Sequence, residues 1–446
     1  GRGEVTGLLG FITVTTDGAG NATINHTLSG VVAAGDRLTA TATRVLGGGG
    51  FGSTSEFGAN LLPTFVGTPG VTLSAANPTA LGSEFRVNTT TAGDQWVYYW
   101  SVRTLAVAQD GSFVQVWIDT GDADGSRAGV YGQRFDAAGN RIGSEFLVNT
   151  STTGRQDNAS IAMADDGRFV VLWDGPGDGS SSGIWGQRYD AAGTRVGGEF
   201  LLNTTTSGVQ QYPELDFAAD GSFVASWVNQ GNGGSARTLF QRFDAAGSRV
   251  GGEVTLSTGA SGDQILDSLD VHADGTFVVT WTEGGDVYGQ RYDAATAAVG
   301  AAFRINQVVA STQQYSIVRA DTAGNFVVVW ESSGQDGSGN GVYARRFAAD
   351  GTALGNEFAV TSQTGGDQFG PVLAMDRAGN FVVAWGDANA VDGSAESIWM
   401  QRFDAAGQRV GQAVQVNQTT AGYQGWPVMG MNDRGLLVVA WEGNGP

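Results

Sequence analysis

The stretch from Val130 to Thr150 is VYGQRFDAAGNRIGSEFLVNT, and the stretch from Ile184 to Thr204 is IWGQRYDAAGTRVGGEFLLNT. The two segments share three glycines, a Gln-Arg pair, an Asp-Ala-Ala-Gly turn and a final Asn-Thr. Apolar and polar residues alternate in both, and Val, Phe, Ile and Tyr are frequent, which is typical of strands joined by tight turns. The segment therefore predicts a β-hairpin that the chain repeats.

The repeat has a long and nearly constant period. A strand that ends in Trp precedes each hairpin, and the tryptophans are Trp117, Trp173, Trp227, Trp281, Trp330, Trp385 and Trp441. They recur at nearly equal intervals, of which the interval from Trp281 to Trp330 is the shortest. A period of this length predicts a solenoid, a propeller or an array. Each unit contains four short strand-like segments without a helical period, so we predict an all-β fold, a seven-bladed β-propeller of four-stranded antiparallel blades.

The two ends of the repeat region complement each other. The last unit stops at Pro446, after its second strand, whereas Val71–Thr89 contains a third and a fourth strand ahead of the first Trp strand. We therefore predict that strands from both termini share one blade and close the ring, which removes free sheet edges. The propeller is expected to span residues 63–446. Residues 1–62 are expected to form a small N-terminal β-sandwich-like segment.

The composition limits the functional classes. The chain has 446 residues, no Cys, only two His and a net charge of −20, and all its basic residues are Arg. The charge argues against nucleic acid and anionic membrane surfaces, and no apolar run is long enough to span a membrane. The lack of Cys excludes disulfides and thiolate metal sites and suits an exported bacterial protein. The start, GRGEVTGLLG, has no initiator Met and no signal peptide, as expected of a processed or truncated chain.

The loop between the second and third strands varies most among the units, and its carboxylates form the first candidate site. They are Asp119, Asp122, Asp124, Asp174, Asp178, Asp336, Asp387 and Asp392. Closely spaced oxygen ligands suit Ca²⁺, the one cofactor that the sequence suggests. No loop has the EF-hand pattern, and Asp-Gly is also common in plain solvated turns, which are the alternative interpretation. The unit around Trp281 has only TEGGD here, so the loop is dispensable for folding.

A second candidate site comes from aligning the first strands. One position, counted back from each Trp, is occupied by Ala106, Ala162, Asp216, Asp270, Arg319, Ala374 and Gly430. Three consecutive units thus place a charge where the others have a small residue, and Glu214 and His272 lie nearby in the sequence. Because the first strand of a propeller blade is innermost, these residues are expected to meet in the central channel. Paired carboxylates beside Arg and His suit acid–base chemistry on a sugar, and a channel lined by solvated or ion-paired groups is the alternative.

Residues that recur in nearly every unit are expected to be structural. The Gln-Arg pairs of the third strand, such as Gln133–Arg134, are followed two residues later by Asp, which predicts a repeated Arg–Asp ion pair on one face of the strand. The tryptophans are expected to pack one blade against the next. A Gln also precedes Trp at one fixed distance in six units, and we expect it to satisfy backbone groups between blades. These residues are Gln156, Gln210, Gln264, Gln313, Gln368 and Gln424.

Two parts of the chain resemble known families. The repeat FVVVWESSGQDGSGNGVYARRF (Phe326–Phe347), followed by NEFAVTSQTGGDQ (Asn356–Gln368), resembles a repeat of large secreted or surface-attached bacterial propeller-repeat proteins that are adhesin-like and calcium-associated. In residues 1–62, FITVTTDGAGNATINHTL and RLTATATRVLGGGGFGSTSEFGAN resemble the second half of a bacterial immunoglobulin-like module. The resemblance implies an extracellular or cell-surface location.

Three functions remain open. The first is a non-catalytic extracellular structural or adhesive protein of a bacterial cell surface or matrix, and on this hypothesis the chain is not an enzyme. The alternatives are a Ca²⁺-dependent carbohydrate-binding, lectin-like propeller and a glycan hydrolase or lyase that uses the channel carboxylates. The expected partners are surface glycans or further copies of the chain, joined head-to-tail through residues 1–62 into a filament, and neither nucleic acid nor membrane insertion is expected.

Overall fold

The computed structural model describes residues 41–46, 50–56, 80, 82–90, 94–96, 103–121, 125, 128–179, 181–231, 235–256, 264–388, 396–420, 422–433 and 435–443. The chain divides into two compact units, Gly1–Gly70 and Val71–Pro446. In the first unit, β1 (Thr41–Leu46) pairs antiparallel with β2 (Gly50–Glu56). The rest of the β-sandwich-like segment expected over residues 1–62 lies outside the described residues. None of the described segments forms an apolar helix of membrane-spanning length.

The second unit consists of antiparallel sheets, each formed by consecutive strands. In blade 1, β3 (Gln95–Trp96) and β4 (Leu105–Val107) both pair with β5 (Phe113–Asp119), which is followed by β6 (Gly129–Phe135) and β7 (Arg141–Leu147). Blade 2 contains β8 (Asp157–Met163), β9 (Phe169–Gly175), β10 (Gly183–Tyr189) and β11 (Arg195–Leu201). Blade 3 contains β12 (Val209–Phe217), β13 (Phe223–Gln230), β14 (Ala236–Phe243) and β15 (Arg249–Thr255).

The later sheets follow the same order. Blade 4 contains β16 (Ile265–Val271), β17 (Phe277–Glu283), β18 (Asp286–Tyr292) and β19 (Ala298–Arg304). Blade 5 contains β20 (Gln313–Ala320), β21 (Phe326–Ser333), β22 (Asn340–Phe347) and β23 (Phe358–Ala359). Blade 6 contains β24 (Gln368–Met375), β25 (Phe381–Asp387), β26 (Ser397–Phe403) and β27 (Arg409–Gln415), and β28 (Gln424–Met431) pairs with β29 (Leu437–Gly443) in a two-stranded sheet. The prediction of an all-β propeller of four-stranded antiparallel blades is confirmed, with six blades and one two-stranded sheet among the described residues. In blade 1 the place of the first strand is divided between β3 and β4, which pair with opposite ends of β5.

The first strands surround the axis of the molecule. Strands β4, β8, β12, β16, β20, β24 and β28 contact one another in this order, and β28 contacts β4 again. Asp216, Asp270 and Arg319 occupy the same register position, opposite Val224, Val278 and Val327 of the second strands. The sequence alignment therefore placed these three residues correctly at one level of the channel.

The tryptophans of the second strands of blades 1–6 are buried between neighbouring blades, as predicted, whereas Trp441 of β29 is half-buried. Trp173 of blade 2, for example, belongs to one buried cluster with Val116 and Val130 of blade 1. Within each blade, an aromatic residue of the second strand stacks on one of the third, as Phe169 does on Tyr189 with ring centroids 4.6 Å apart. Such pairs contribute roughly 0.5–1.5 kcal/mol beyond the burial of their area, so the same stabilising contact recurs around the ring.

Residues 82–90, which we name the closing segment, lie between blade 6 and blade 1. Glu84 accepts hydrogen bonds from the backbone N–H groups of Gln418 (2.7 Å) and Thr419 (3.0 Å), just as Glu253 of β15 accepts them from Thr204 and Thr205. The Phe85 ring lies 5.5 Å from that of Phe135 in blade 1, and the corresponding rings of blades 5 and 6, Phe358 and Phe403, are 5.7 Å apart. The closing segment thus makes the contacts that a fourth strand makes with its neighbours.

The predicted Arg–Asp ion pair of the third strands is wrong. Arg134 donates instead to the carbonyl oxygens of Ala191 and Ala192 in blade 2, while Asp136 accepts the N–H groups of Ala138 and Asn140 in its own turn. The turn satisfies the carboxylate locally, which leaves the long Arg side chain to link adjacent blades. The Gln that precedes Trp at a fixed distance does bond to the backbone as predicted, for example from Gln156 to the oxygen of Thr153.

Candidate functional site

A buried guanidinium lies at the centre of the charged residues in the channel. Arg103, in the segment before β4 of blade 1, places Nη1 3.1 Å from Oδ1 of Asp216 in blade 3 and Nη2 3.3 Å from Oδ1 of Asp270 in blade 4. Its Nε lies 3.6 Å from Oε2 of Glu214, and its Nη groups also donate to the carbonyl oxygens of Leu215 and Leu269. The side chain therefore extends from blade 1 past blade 2 to blades 3 and 4.

The structure brings Asp216, Asp270 and Arg319 together, with Glu214 beside them. Arg319 of blade 5 places Nη1 4.0 Å from Oδ1 of Asp270. We name Arg103, Glu214, Asp216, Asp270 and Arg319 the channel cluster. Arg103 was not predicted from the sequence, because an insertion around WVYYWSVR interrupts the alignment of first strands. The charges in the sequence could have indicated a second cation, because three carboxylates in one channel need more counter-charge than Arg319 alone provides.

The carboxylates of the channel cluster also bind backbone groups of the following blade. Asp216 accepts the N–H of Val271 at 2.9 Å and that of its neighbour Phe217 at 3.0 Å. Asp270 accepts the N–H of Ala320 at 3.0 Å. Each of these carboxylates thus links the first strand of its own blade to the first strand of the next, and the channel cluster connects blades 1, 3, 4 and 5.

Burial dominates the titration of the channel cluster. It raises the pKa of Glu214 and of Asp270 to about 7, although Arg103 and Arg319 oppose the shift. Burial, with the nearby charge of Arg103, lowers the pKa of Arg319 to about 10. Burial alone would also lower the pKa of Arg103, but Asp216, Glu214 and Asp270 outweigh it, and the net shift is upward. Glu214 and Asp270 are therefore expected to be partly protonated near pH 7.

His272 lies in the turn that follows β16. Its Nδ1 is 3.1 Å from Oγ1 of Thr276 in the same turn, and its ring lies against the turn glycine Gly324 of blade 5. Burial lowers the pKa of His272, although Asp274 and Asp216 act in the opposite direction, so the neutral imidazole is favoured. This position gives His272 a packing role between blades 4 and 5.

A second set of polar contacts crosses the channel at the turns between first and second strands. Nη2 of Arg377, from blade 6, lies 2.8 Å from Oδ2 of Asp165 in blade 2, and its Nε lies 2.6 Å from Oδ2 of Asp433 in the two-stranded sheet. Gln109 of blade 1 donates to both carboxylates. These contacts, which sequence analysis missed, join opposite sides of the ring, so two levels of the channel are bridged.

The candidate calcium ligands fall into several separate loops. Asp122, Asp124 and Asp392 lie outside the described residues. Asp119 accepts the N–H of Gly121, and both Asp119 and Asp387 are buried where their second strands end. In the described part of the chain, no three His, Cys, Asp or Glu side chains are grouped as ligands of one ion. Calcium binding therefore stays a prediction.

The remaining candidate ligands have structural partners. Asp336 accepts the N–H of Ser338 at 3.0 Å, and Asp178 lies 3.4 Å from the side-chain amide of Asn203. Asp174 is buried and accepts a 2.6 Å hydrogen bond from the side chain of Asn158. Asp336 and Asp178 thus hold the conformation of their loops, and Asp174 forms a buried hydrogen bond within blade 2.

The first strands contain a bulge near their start that was not predicted from the sequence. Asn158, Tyr212, Tyr315 and Trp426 have positive φ there, and Gly370 has it in blade 6. A carboxylate of the preceding blade holds this backbone: Glu331 accepts the N–H of Gly370 at 2.6 Å. Burial raises the pKa of Glu331, and likewise of Asp174 and Asp267, to about 7. The Trp spacing gave no sign of the bulge, because the extra residue is present in several units alike.

Comparisons with known proteins give fold similarity only. No family model matches the chain, and no curated protein matches it. A protein of unknown function from Dyadobacter fermentans is similar in structure, with a TM-score of 0.47, 12% identity and coverage of 65% of this chain and 91% of that one. The α-L-arabinanase of Penicillium chrysogenum, complexed with arabinobiose, has a TM-score of 0.44 and 13% identity, and the match covers 68% of this chain and 94% of that one. A chain of the mitotic checkpoint complex has a TM-score of 0.48 and 14% identity, and the match covers 86% of this chain and 96% of that one. The strand order of the second unit defines a β-propeller, and these matches show distant structural similarity alone.

Proposed function

We propose that the protein is a non-catalytic structural or adhesive propeller of a bacterial cell surface or matrix. The strongest support is that the side chains of the channel cluster are buried and bond one blade to another. Arg103 is 8% exposed, Glu214 3% and Asp270 8%, so these side chains are buried. Asp216 and Asp270 are bonded both to Arg103 and to the backbone of the next blade, and carboxylates placed in this way stabilise the ring. The high negative charge and the absence of Cys favour a location outside the cell.

The proposed ring has seven blades. In this arrangement the closing segment is the fourth strand of a seventh blade whose first and second strands are β28 and β29. The contacts of Glu84 and Phe85, which repeat those of Glu253 and Phe358, support the assignment. The third strand is expected near Val71–Ala75, outside the described residues.

The ring is proposed to present its variable loops for binding surface glycans or another copy of the chain. In blade 4 this loop is only Gly284–Gly285, whereas blade 5 has residues 334–339, which are closed by a 2.6 Å hydrogen bond from the N–H of Gly334 to the oxygen of Gly339. Blade 4 therefore shows that a blade folds with the short loop, and the longer loops are available for recognition.

The test exchanges the loop of blade 5 for the Gly-Gly of blade 4. We expect an unchanged melting temperature together with loss of binding to an array of bacterial surface glycans or loss of self-association in light scattering. A matched control exchanges the turn residue Ser248 for Thr, as in blade 2, and should leave both readouts intact. If neither readout is present in the native protein with or without Ca²⁺, the adhesive proposal fails.

Hydrolysis is the competing function, and Asp270→Asn separates the two. If the channel is catalytic, the native protein turns over some neutral or acidic glycan and the Asp270→Asn variant does not. The structural proposal expects no turnover of the same panel by either protein, and a change in stability alone. Turnover that disappears in the variant would contradict the proposal.

A lectin-like function is favoured by one aromatic group beside the first-strand bulge. The rings of Phe369 and Trp426 are 5.2 Å apart at 64°, and both side chains are half-buried. Trp426 has a φ of 48°, at the position where blade 6 uses Gly370 with a φ of 57°. A bulky residue in this conformation costs roughly 1 kcal/mol, and on this alternative the half-buried ring of Trp426 contributes to glycan binding. Trp426→Gly should then weaken glycan binding, and EDTA would show whether Ca²⁺ contributes.

A further inference from the structure

A cavity of about 270 Å³ lies between blades 1 and 2, at the turns that join first and second strands. Ser112, Phe113 and Gly167 form part of its wall, together with Arg134, Asp165 and Asp166. Ser112 directly precedes β5, and Gly167 is the glycine of the corresponding turn in blade 2. The gap between these two turns recurs around the ring, so its contents can be compared from blade to blade.

The next gap, between blades 2 and 3, holds a guanidinium. The residue equivalent to Ser112 is Arg168, and the glycine equivalent to Gly167 is Gly221. A methyl group built on Gly221 would lie 2.6 Å from Nη2 of Arg168, which shows that the guanidinium fills the space beside this glycine. Nε of Arg168 lies 2.6 Å from Oδ2 of Asp166. The chain itself therefore places an alkylguanidinium in this type of gap.

The gap between blades 3 and 4 is filled in the same way from another strand. Here the equivalent residue is Ser222, and Arg242 turns inward, with Nη2 2.8 Å from the Ser222 hydroxyl and Nη1 2.9 Å from the oxygen of Gly275. Arg134 is the counterpart of Arg242 in blade 1, but it donates to the carbonyl oxygens of Ala191 and Ala192. The gap between blades 1 and 2 thus keeps a space that two neighbouring gaps fill with a guanidinium.

The wall of the cavity suits a cation with an apolar stem. Asp110, Asp165 and Asp166 provide three carboxylates, and Phe113 and Met163 provide an apolar side. Arg168 pairs with Asp166 and Arg377 pairs with Asp165, so a bound cation would share these carboxylates with guanidiniums of the chain. A carboxylate next to a guanidinium forms one of the stronger charge-assisted hydrogen bonds in proteins, and Asp166 already makes one with Arg168. We propose that this cavity is a binding site for a small alkylguanidinium cation.

Agmatine, an alkylguanidinium without a carboxylate, is the probe for titration calorimetry at low ionic strength. We expect saturable binding with one site per chain, and binding at least tenfold weaker for putrescine, a diamine of the same chain length and charge in which an ammonium group without the planar fork of donors replaces the guanidinium. No heat of binding with agmatine, or equal affinity for the two amines, would overturn the proposal.

Two substitutions taken from the chain itself should close the cavity. Ser112→Arg copies Arg168, and Ser112→Leu copies Leu436, the equivalent residue of the two-stranded sheet, whose side chain lies against Gly111 in the gap to blade 1. Both variants should keep the native melting temperature or raise it, and both should weaken agmatine binding more than tenfold. Ser248→Arg adds the same charge on an exposed turn of blade 3 and should bind like the native protein. Native affinity in a folded Ser112→Leu variant would refute the assignment.

Discussion

At the scale of single residues, the buried carboxylates determine how stability depends on pH. Asp267 accepts hydrogen bonds from the hydroxyl groups of Thr282 and Ser316, and Glu331 accepts one from the backbone N–H of Gly370. Burial raises the pKa of both carboxyls to about 7, whereas a carboxyl of an unfolded chain titrates near pH 4. The folded protein therefore binds more protons than the unfolded chain between these values, and its stability falls as pH rises through this window.

The variant Glu331→Gln tests this dependence. Gln still accepts the N–H of Gly370 but does not ionise, so the free energy of unfolding should fall less steeply between pH 5 and 8 than in the native protein. Each carboxyl of this kind contributes up to about 1.4 kcal/mol per pH unit inside its window. Urea unfolding at four pH values measures the slope. The exposed Asp350, whose pKa hydrogen bonds from Thr352 hold low, provides the control Asp350→Asn, and an equal slope in all three proteins would contradict the assignment.

Arg103 and Arg319 should differ in their importance. Arg103→Met leaves Asp216, Asp270 and Glu214 buried without their main counter-charge, and loss of one partner of a buried ionic group costs roughly 3–5 kcal/mol. Arg319→Met should cost less, because this side chain lies 4.0 Å from Asp270 and is more exposed than Arg103. Denaturant midpoints of the two variants give the comparison. A smaller loss for Arg103→Met than for Arg319→Met would show that Arg103 does not hold the cluster together.

The sequence predicted the channel residues in part, for a physical reason. Asp216, Asp270 and Arg319 could be aligned because regular strands keep their register relative to the Trp that ends the second strand. Arg103 could not, since it follows a sequence insertion, and its side-chain hydrogen bonds reach residues 112 and 167 positions away. The Gln-Arg-Phe-Asp pattern showed which residues repeat, but the direction in which Arg134 extends depends on the neighbouring blade.

At the scale of elements, the closing segment determines whether the ring is complete. Deletion of Val71–Thr89 would remove Glu84 and Phe85 and, in the proposed seven-bladed arrangement, leave β29 as an unpaired edge, so we expect aggregation or unfolding. The matched control removes residues 1–62, which belong to the other compact unit, and it should keep the melting temperature of the propeller. Size-exclusion chromatography and thermal unfolding compare the two deletions. Monomeric behaviour and native melting after loss of Val71–Thr89 would exclude the closing role.

At the scale of the whole molecule, the charge of −20 opposes association of identical chains. The proposed head-to-tail contact through residues 1–62 should therefore appear only when salt or divalent cations screen the repulsion. Light scattering of the native chain should increase from low salt to physiological salt, with a larger increase in Ca²⁺, and a chain that starts at Pro63 should stay monomeric. Equal scattering by the two chains under all conditions would rule out assembly through this segment.

The contacts of Glu84 with Gln418 and Thr419 join distant parts of the chain, whereas nearly all other strand pairs are local. Local hairpins form quickly, but closure of so long a loop is entropically costly and slow. During synthesis or export, blades 1–6 can form as each emerges, while the ring can close only after β28 and β29 have been delivered. Refolding should therefore show a fast phase of sheet formation and a late, slower phase of closure, and during that interval the two unpaired edges are exposed to other chains.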